Sequence, residues 1–368
     1  MAVDFGKVAG RAALSLGAVA LGAAAGATAE RLVMRLSATP RSDVDLAEFY
    51  SLHGERVEVT ASDGVVLVGE VDRLPGSRVT IVLPHGFALN RNSWYYQRLA
   101  LRDRATLVFY DQRGHGESTG ATSAVSQDYS ISQLGLDLHS VINQLATNDP
   151  LILIGHSMGG MSILALVEQH PEIFGAQVIG VGLISSSATS VATSSLGLPT
   201  PISRVVQSLV PGVAVAIAKG GVALSHSRWS KTDLGLLITR LYSFGSVAPI
   251  NSGEFVADMI SSTDFNILVK FLPNIYEHNT LESLEPLQQV ETLVITGESD
   301  RVVPPAMSEA IIERVPGAEF VVFAESGHMV TIERHEEVNE LLAGFVDRVI
   351  ERLDHREDKI TPRHASFG

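Results

Sequence analysis

Residues 151–160 read Leu-Ile-Leu-Ile-Gly-His-Ser-Met-Gly-Gly, and the rest of the chain is arranged around them. Leu151 to Ile154 is short and apolar at every position, the pattern of a strand buried on both faces of a parallel sheet. From Met158 to Phe174 apolar residues recur at helical spacing, so Ser157 falls at a strand-to-helix corner. A corner that tight crowds its neighbours, and Gly155 and Gly159, two residues to either side, let strand and helix pass without Cβ clashes. The hydroxyl of Ser157 then projects above the sheet as a candidate nucleophile. The helix that starts at Met158 aims free N–H groups and its positive dipole end at the same point. With 32 glycines in 368 residues, a chance G-x-S-x-G is the competing reading; the strand before it and the helix after it argue against chance.

A G-x-S-x-G string in this context resembles the nucleophile elbow of the α/β-hydrolase superfamily, over roughly Arg56 to Leu353. The resemblance implies an α/β fold with a mostly parallel eight-stranded sheet flanked by helices and a helical cap inserted after strand 6. It is accompanied by a second hallmark, Asp111-Gln-Arg113-Gly-His115-Gly-Glu117-Ser118. The glycines of that string suit a tight loop, and a pair between Asp111 and Arg113 would hold it. Acid/base work by His115 or Glu117 is the lesser reading.

Composition bounds the function. Hydrophobic residues make up 45% and charged residues 18% of the chain, enough for a large core and against global disorder. A formal charge of −14 with no basic concentration disfavours nucleic acid as a partner. The absence of cysteine removes disulfides, thiolate catalysis and Cys-based metal sites, without deciding the compartment.

Residues 1–36 differ from the rest. An uncharged run at residues 12–29, between Arg11 and Glu30, reaches the length at which a membrane span becomes possible, although alanine and glycine make it weak. Ala27-Thr28-Ala29 resembles a signal-peptidase site, and Gly22 with Gly26 suits close helix pairing in lipid. Retained membrane association ranks first, a cleaved export signal second and a soluble helix third, so the expected location is membrane-associated or exported, with the cytoplasm still open. Basic residues on both flanks leave orientation undecided.

Strand periodicity begins at Arg56. Residues 56–61 and 65–73, separated by Ser62-Asp63-Gly64, read as an antiparallel hairpin. Residues 79–83 form a buried strand that ends in Pro84-His85-Gly86-Phe87, where Gly86 permits close approach to the elbow. By the resemblance, the amides of Phe87 and Met158 donate to the oxyanion, and one such donor is worth about 2.7 to 4 kcal/mol of barrier. His85 supports that loop, as His156 supports the elbow. Residues 107–111 and 178–186 are further strands, and 132–146 a helix. The core is expected in residues 50–187 and 285–353. The regular alternation breaks over residues 188–284, including a helical stretch at 254–272, where the family places its cap. Its apolar character implies a greasy cavity, a membrane contact or both.

Alternation resumes with the strand 291–297, which delivers Glu298 and Asp300, then a helix at 306–315 and a last strand at 319–324 followed at once by Ser326-Gly327-His328. Asp300, His328 and Ser157 all lie just past strand ends, which share one edge in a parallel sheet. Their order is the family's. Glu298 is the rival acid and His335, opening the helix 336–353, the rival base. A polar tail, 354–368, reads as frayed.

The resemblance therefore implies ester hydrolysis through an acyl-enzyme, with Ser157, His328 and Asp300 as triad and no metal or organic cofactor. Relatives that need a carboxylate at the elbow are excluded by Ser157. Carbon–carbon bond hydrolases, cofactor-free haloperoxidases or perhydrolases, thioesterases and proline-directed peptidases keep the same triad. The apolar segment and the G-H-S-M-G-G string, similar to monoacylglycerol lipases and lysophospholipases, favour a small apolar ester or lipid as substrate. The layout is also similar to actinobacterial α/β hydrolases. A non-catalytic binding module is the alternative from another class.

Overall fold

A computed structural model describes residues 44–118, 128–147, 149–190, 243–245 and 250–360. The leader, most of the 191–249 stretch and the last eight residues lie outside them.

The hairpin forms as expected: β1 (Glu55–Thr60) pairs antiparallel with β2 (Val66–Asp72) across the Asp63-Gly64 turn. Then follow β3 (Thr80–Pro84), α1 (Tyr95–Leu101), β4 (Thr106–Tyr110), α2 (Ile131–Leu145), β5 (Leu151–His156), α3 (Met158–Gln169) and β6 (Val178–Ile184). Two helices, α4 (Ile250–Ser262) and α5 (Phe265–Glu277), precede β7 (Glu291–Gly297), α6 (Pro305–Arg314), β8 (Glu319–Phe323), α7 (Val330–Glu333) and α8 (His335–Ile360). The strands form one eight-stranded sheet in the order β1-β2-β4-β3-β5-β6-β7-β8. It is parallel from β4 to β8.

Burial explains the order. Every residue of β3, β5 and β6 is buried, as apolar runs without alternation require when helices cover both faces. On one face α2, α3 and α6 bury Leu138, Val141, Ile163, Leu166 and Ile311 against the sheet. On the other, α1 and α8 bury Leu101, Leu342, Phe345 and Val349. Each such side chain contributes about 1.5–3 kcal/mol of transfer free energy.

Boundaries differ from the sequence reading where punctuation outweighs periodicity. The elbow helix stops at Gln169 rather than Phe174, because Pro171 brings no N–H and disfavours helical geometry at His170. The helical stretch after residue 250 divides at Thr263-Asp264, where the Asp264 side chain accepts from Asn266 N and caps α5. The last helix does not end at Leu353 but continues to Ile360, since no helix breaker occurs before Pro362. Among the described residues no helix is long and apolar enough to cross a membrane; residues 12–29 lie outside them.

Candidate active site

Ser157 sits between β5 and α3 with φ 53° and ψ −119°. A non-glycine residue held at positive φ costs about 1–3 kcal/mol and persists only where its surroundings hold it. Here Ser157 N donates to Ile184 O at 2.9 Å, and the Ser157 carbonyl accepts from Ser186 Oγ at 2.8 Å and from Gly160 N at 2.9 Å. The glycines have a steric reason: a Cβ on Gly155 would lie 2.5 Å from Gly160 N, and one on Gly159 would lie 2.0 Å from Pro84 O.

Three sheet-edge loops then converge. His328 Nε2 lies 2.9 Å from Ser157 Oγ, and His328 Nδ1 lies 2.8 Å from Asp300 Oδ2. The second Asp300 oxygen accepts from Val302 N at 2.9 Å and Val303 N at 2.8 Å. With Nδ1 facing the Asp300 carboxylate, Nε2 is the ring nitrogen turned to the Ser157 hydroxyl. All three residues are buried. The Asp300 and His328 loops touch through backbone: Ser299 N donates to Ser326 O at 2.8 Å, and a Cβ on Gly297 would lie 2.3 Å from Gly327 O.

Beside Ser157 runs the Pro84–Ala88 loop. Among the described residues, neither the Phe87 nor the Met158 amide N–H has a hydrogen-bond acceptor. His85 and His115 prop the loop from beneath. His85 Nε2 accepts from Gln112 N at 3.0 Å, while its Nδ1–H donates to Gly86 O at 2.8 Å. His115 Nε2 accepts from Ala88 N at 3.1 Å, and its Nδ1–H donates to Arg113 O at 3.0 Å. Ala88 itself is held at φ 60°. Gly86 is required because a Cβ there would lie 2.7 Å from His156 Nδ1. His156 completes the frame by donating Nε2–H to the His328 carbonyl at 3.0 Å.

These three histidines are kept neutral by burial. Desolvation pushes His85 down to about 4, and His115 and His156 down to about 3, with a neighbouring histidine adding to the effect in the last two. His115 is thus a prop with both nitrogens engaged. The rivals lie elsewhere: Glu298 accepts from Glu325 N at 3.2 Å, and Glu117 is exposed and paired with Arg91. His335 stacks on Tyr96 with centroids 3.8 Å apart, half-buried.

The pairing expected between Asp111 and Arg113 does not form. Asp111 is bound by Arg91, through its backbone N at 2.8 Å and its guanidinium. Arg113 reaches away, to Asp137 at 2.5 Å and Asp63 at 2.8 Å. Residues two apart share one side only where the chain stays extended; here it turns at Arg113-Gly114, with Gly114 at φ 76°, and the two side chains find different partners. Gln112, between them, was not legible as a site residue. It donates to His85 O at 2.5 Å and accepts from Ser162 Oγ at 2.7 Å, tying the Pro84–Ala88 loop to the elbow helix.

The packing next to Ser157 is apolar. Phe87, Met158, Met161, Ile267, Phe271, Val302, Val303 and Met307 form a cluster in which Phe271 meets Phe87 at 6.2 Å, His115 at 5.3 Å and Tyr129 at 5.1 Å between centroids. Phe271 and Ile267 come from α5, between β6 and β7.

The sequence profile of the alpha/beta hydrolase family matches residues 81–341. The monoacylglycerol lipase abhd6-A of Xenopus laevis is 22% identical over 273 residues, 74% of this chain and 76% of that protein. An esterase from Exiguobacterium antarcticum superposes with a TM-score of 0.62 at 21% identity, covering 80% of this chain and 100% of the esterase. A bromoperoxidase from Bacillus anthracis gives a TM-score of 0.61 at 18% identity over 79% and 99% of the two chains. At these identities the solved structures speak to the fold alone.

Proposed function

Because the chain belongs to the alpha/beta hydrolase family, we propose that it is a serine hydrolase that cleaves carboxylic esters of apolar, lipid-like acids through an acyl-enzyme. The observation that carries this reading is the chain of contacts Ser157 Oγ, His328 Nε2, His328 Nδ1, Asp300 Oδ2, at 2.9 and 2.8 Å, beside two amide N–H groups without acceptors among the described residues.

In this mechanism Ser157 Oγ attacks the ester carbonyl as His328 Nε2 takes its proton. Asp300 holds the imidazole tautomer and stabilises the cation that forms. Negative charge grows on the carbonyl oxygen, where the Phe87 and Met158 amides receive it without reorganising. His328 returns the proton to the leaving alcohol, and water then repeats the sequence to release the acid. The apolar cluster around Phe87, Phe271 and Met158 supports a greasy acyl or alkyl group. Helices α4 and α5 act as part of a cap over residues 188–284, and residues 12–29 bring the enzyme to a membrane.

The test is labelling by a fluorophosphonate probe together with turnover of a chromogenic ester series of increasing acyl length. Wild type labels and Ser157→Ala does not; His328→Ala stays folded with kcat lowered on the order of 10⁴- to 10⁶-fold. Labelling of Ser157→Ala at the wild-type rate refutes the nucleophile, and turnover that shows no preference for apolar acyl groups refutes the substrate class.

A further inference from the structure

We propose that Glu333 is a positioning residue for the base, a clip by which the segment between β6 and β7 sets the place of His328; this rests on the reading of His328 as the base. The side chain lies at the end of α7, five residues past the histidine. Glu333 Oε1 accepts from Gly327 N at 2.8 Å, and Glu333 Oε2 accepts from Gly245 N at 2.8 Å. On the other flank of the histidine, Met329 N donates to Ser243 O at 2.8 Å. Both residues adjacent to His328 are therefore tied to residues 243–245, one directly and one through the carboxylate.

The contact is also steric. A Cβ on Gly327 would lie 2.3 Å from Gly245 N, and one on Gly245 would lie 2.4 Å from the carbonyl carbon of Ser326, so the two backbones meet with no room for a side chain. Phe244, between the tied residues, is buried in a cluster that also holds Met329 and Ile332. Two N–H groups converging on one site call for two acceptors, and a carboxylate supplies both with charge-assisted bonds. A carboxamide supplies one and turns an N–H toward the other donor. None of these atoms touches the scissile bond; their effect is to decide where the imidazole sits, and a displacement of about 1 Å there costs on the order of 100-fold in rate.

The experiment uses the full chain, with Glu333→Ala and Glu333→Gln. Turnover of a short-chain chromogenic ester is referred to active sites titrated to completion with a fluorophosphonate, and thermal melts are recorded alongside. Glu333→Ala is expected to lower kcat per titrated site by roughly 10- to 100-fold with KM changed by less than about threefold, and Glu333→Gln to lose less, because one of the two bonds survives. A purely structural residue would reduce the number of titratable sites and leave kcat per site unchanged. That outcome, or a kcat per site within about twofold of wild type in both folded variants, overturns the proposal. Should Glu333→Ala not fold, the near-isosteric Glu333→Gln decides by the same reading. Ser157→Ala and His328→Ala run in parallel separate the two failures: turnover in those variants sinks the triad, whereas their silence beside wild-type rates in the Glu333 variants sinks the clip alone.

Discussion

Gly159 shows how a single missing side chain can hold a site together. Its Cα faces the Pro84–His85 backbone so closely that a methyl group would lie 2.0 Å from Pro84 O and 2.8 Å from His85 O. Backbone cannot swing aside as a side-chain tip can, so Gly159→Ala must push the loop carrying the Phe87 amide away from Ser157. The expected outcome is a fall in kcat on the order of 10²- to 10³-fold, the cost of losing one oxyanion donor, with overpacking adding about 1–3 kcal/mol of destabilisation. Steady-state kinetics and thermal melts check this; near-normal kcat would place the oxyanion donors elsewhere. At this scale Ser157, Asp300 and His328 were readable because each stands at a fixed offset from a strand end within a short motif. Gln112, Ser162 and Glu333 are not, because each has a deciding partner 27 to 88 residues away in sequence and an isolated polar residue carries no periodic signal.

Among the elements, the stretch Val44 to Leu52 matters beyond its length. Phe49 is buried, stacks on Phe255 of α4 at 4.2 Å and meets Tyr95 and Tyr96 edge-on at 5.1 and 5.6 Å. Tyr50 Oη donates to Asp258 Oδ2 at 3.0 Å, and Asn251 Nδ2 donates to Val44 O at 2.8 Å, so this strap fastens α4 at both ends. The same cluster contains Phe244, Met329 and Ile332, adjoining the loop of His328. A chain starting at Val44 is expected to stay in the supernatant and keep wild-type kcat, while the full chain pellets with membranes. A chain starting at His53 loses the Phe49 packing, worth about 3–5 kcal/mol, and with it roughly tenfold or more of its activity. Equal turnover from Val44 and His53 would show that the strap is dispensable, and equal pelleting of the full chain and the Val44 chain would remove the anchor. Periodicity located α4 and α5 only as one blurred stretch. The strap leaves no mark in the sequence, because nine residues that fold against a distant helix have no pattern of their own.

For the molecule as a whole, the neutral histidines set a pH dependence of stability. His85, His115 and His156 are pushed down to about 4, 3 and 3, and His278 to about 4, burial being the main cause in each. Unfolded, each would take up a proton near pH 6.5. The unfolded chain therefore binds more protons than the native one between about pH 3 and 6.5, and stability falls as pH is lowered through that window. At pH 5.5 each fully buried histidine subtracts roughly 1.4 kcal/mol, about 4 kcal/mol for the three beneath the site. Asp111 and Asp137, pushed up by burial, work in the opposite sense nearer the carboxylate range. Calorimetry at pH 7.5 and 5.5 is expected to show Tm lower at the acid end by on the order of 5 °C. An unchanged or higher Tm would mean that these rings accept protons in the folded protein.

The amino-acid order alone marked the separate strands and the elbow, because hydrophobic periodicity and glycine placement act over a few residues and leave their mark in the string itself; the single mostly parallel sheet was what the family resemblance implied. It also indicated which serine, aspartate and histidine to watch, since each stands shortly after the end of a strand. Only the folded arrangement decided that Asp111 belongs to Arg91 and Arg113 to Asp137, that His115 is a prop, and that Glu333 joins two glycines. Those choices are made by distance and desolvation between segments remote in sequence, and such quantities do not exist until the chain has closed on itself.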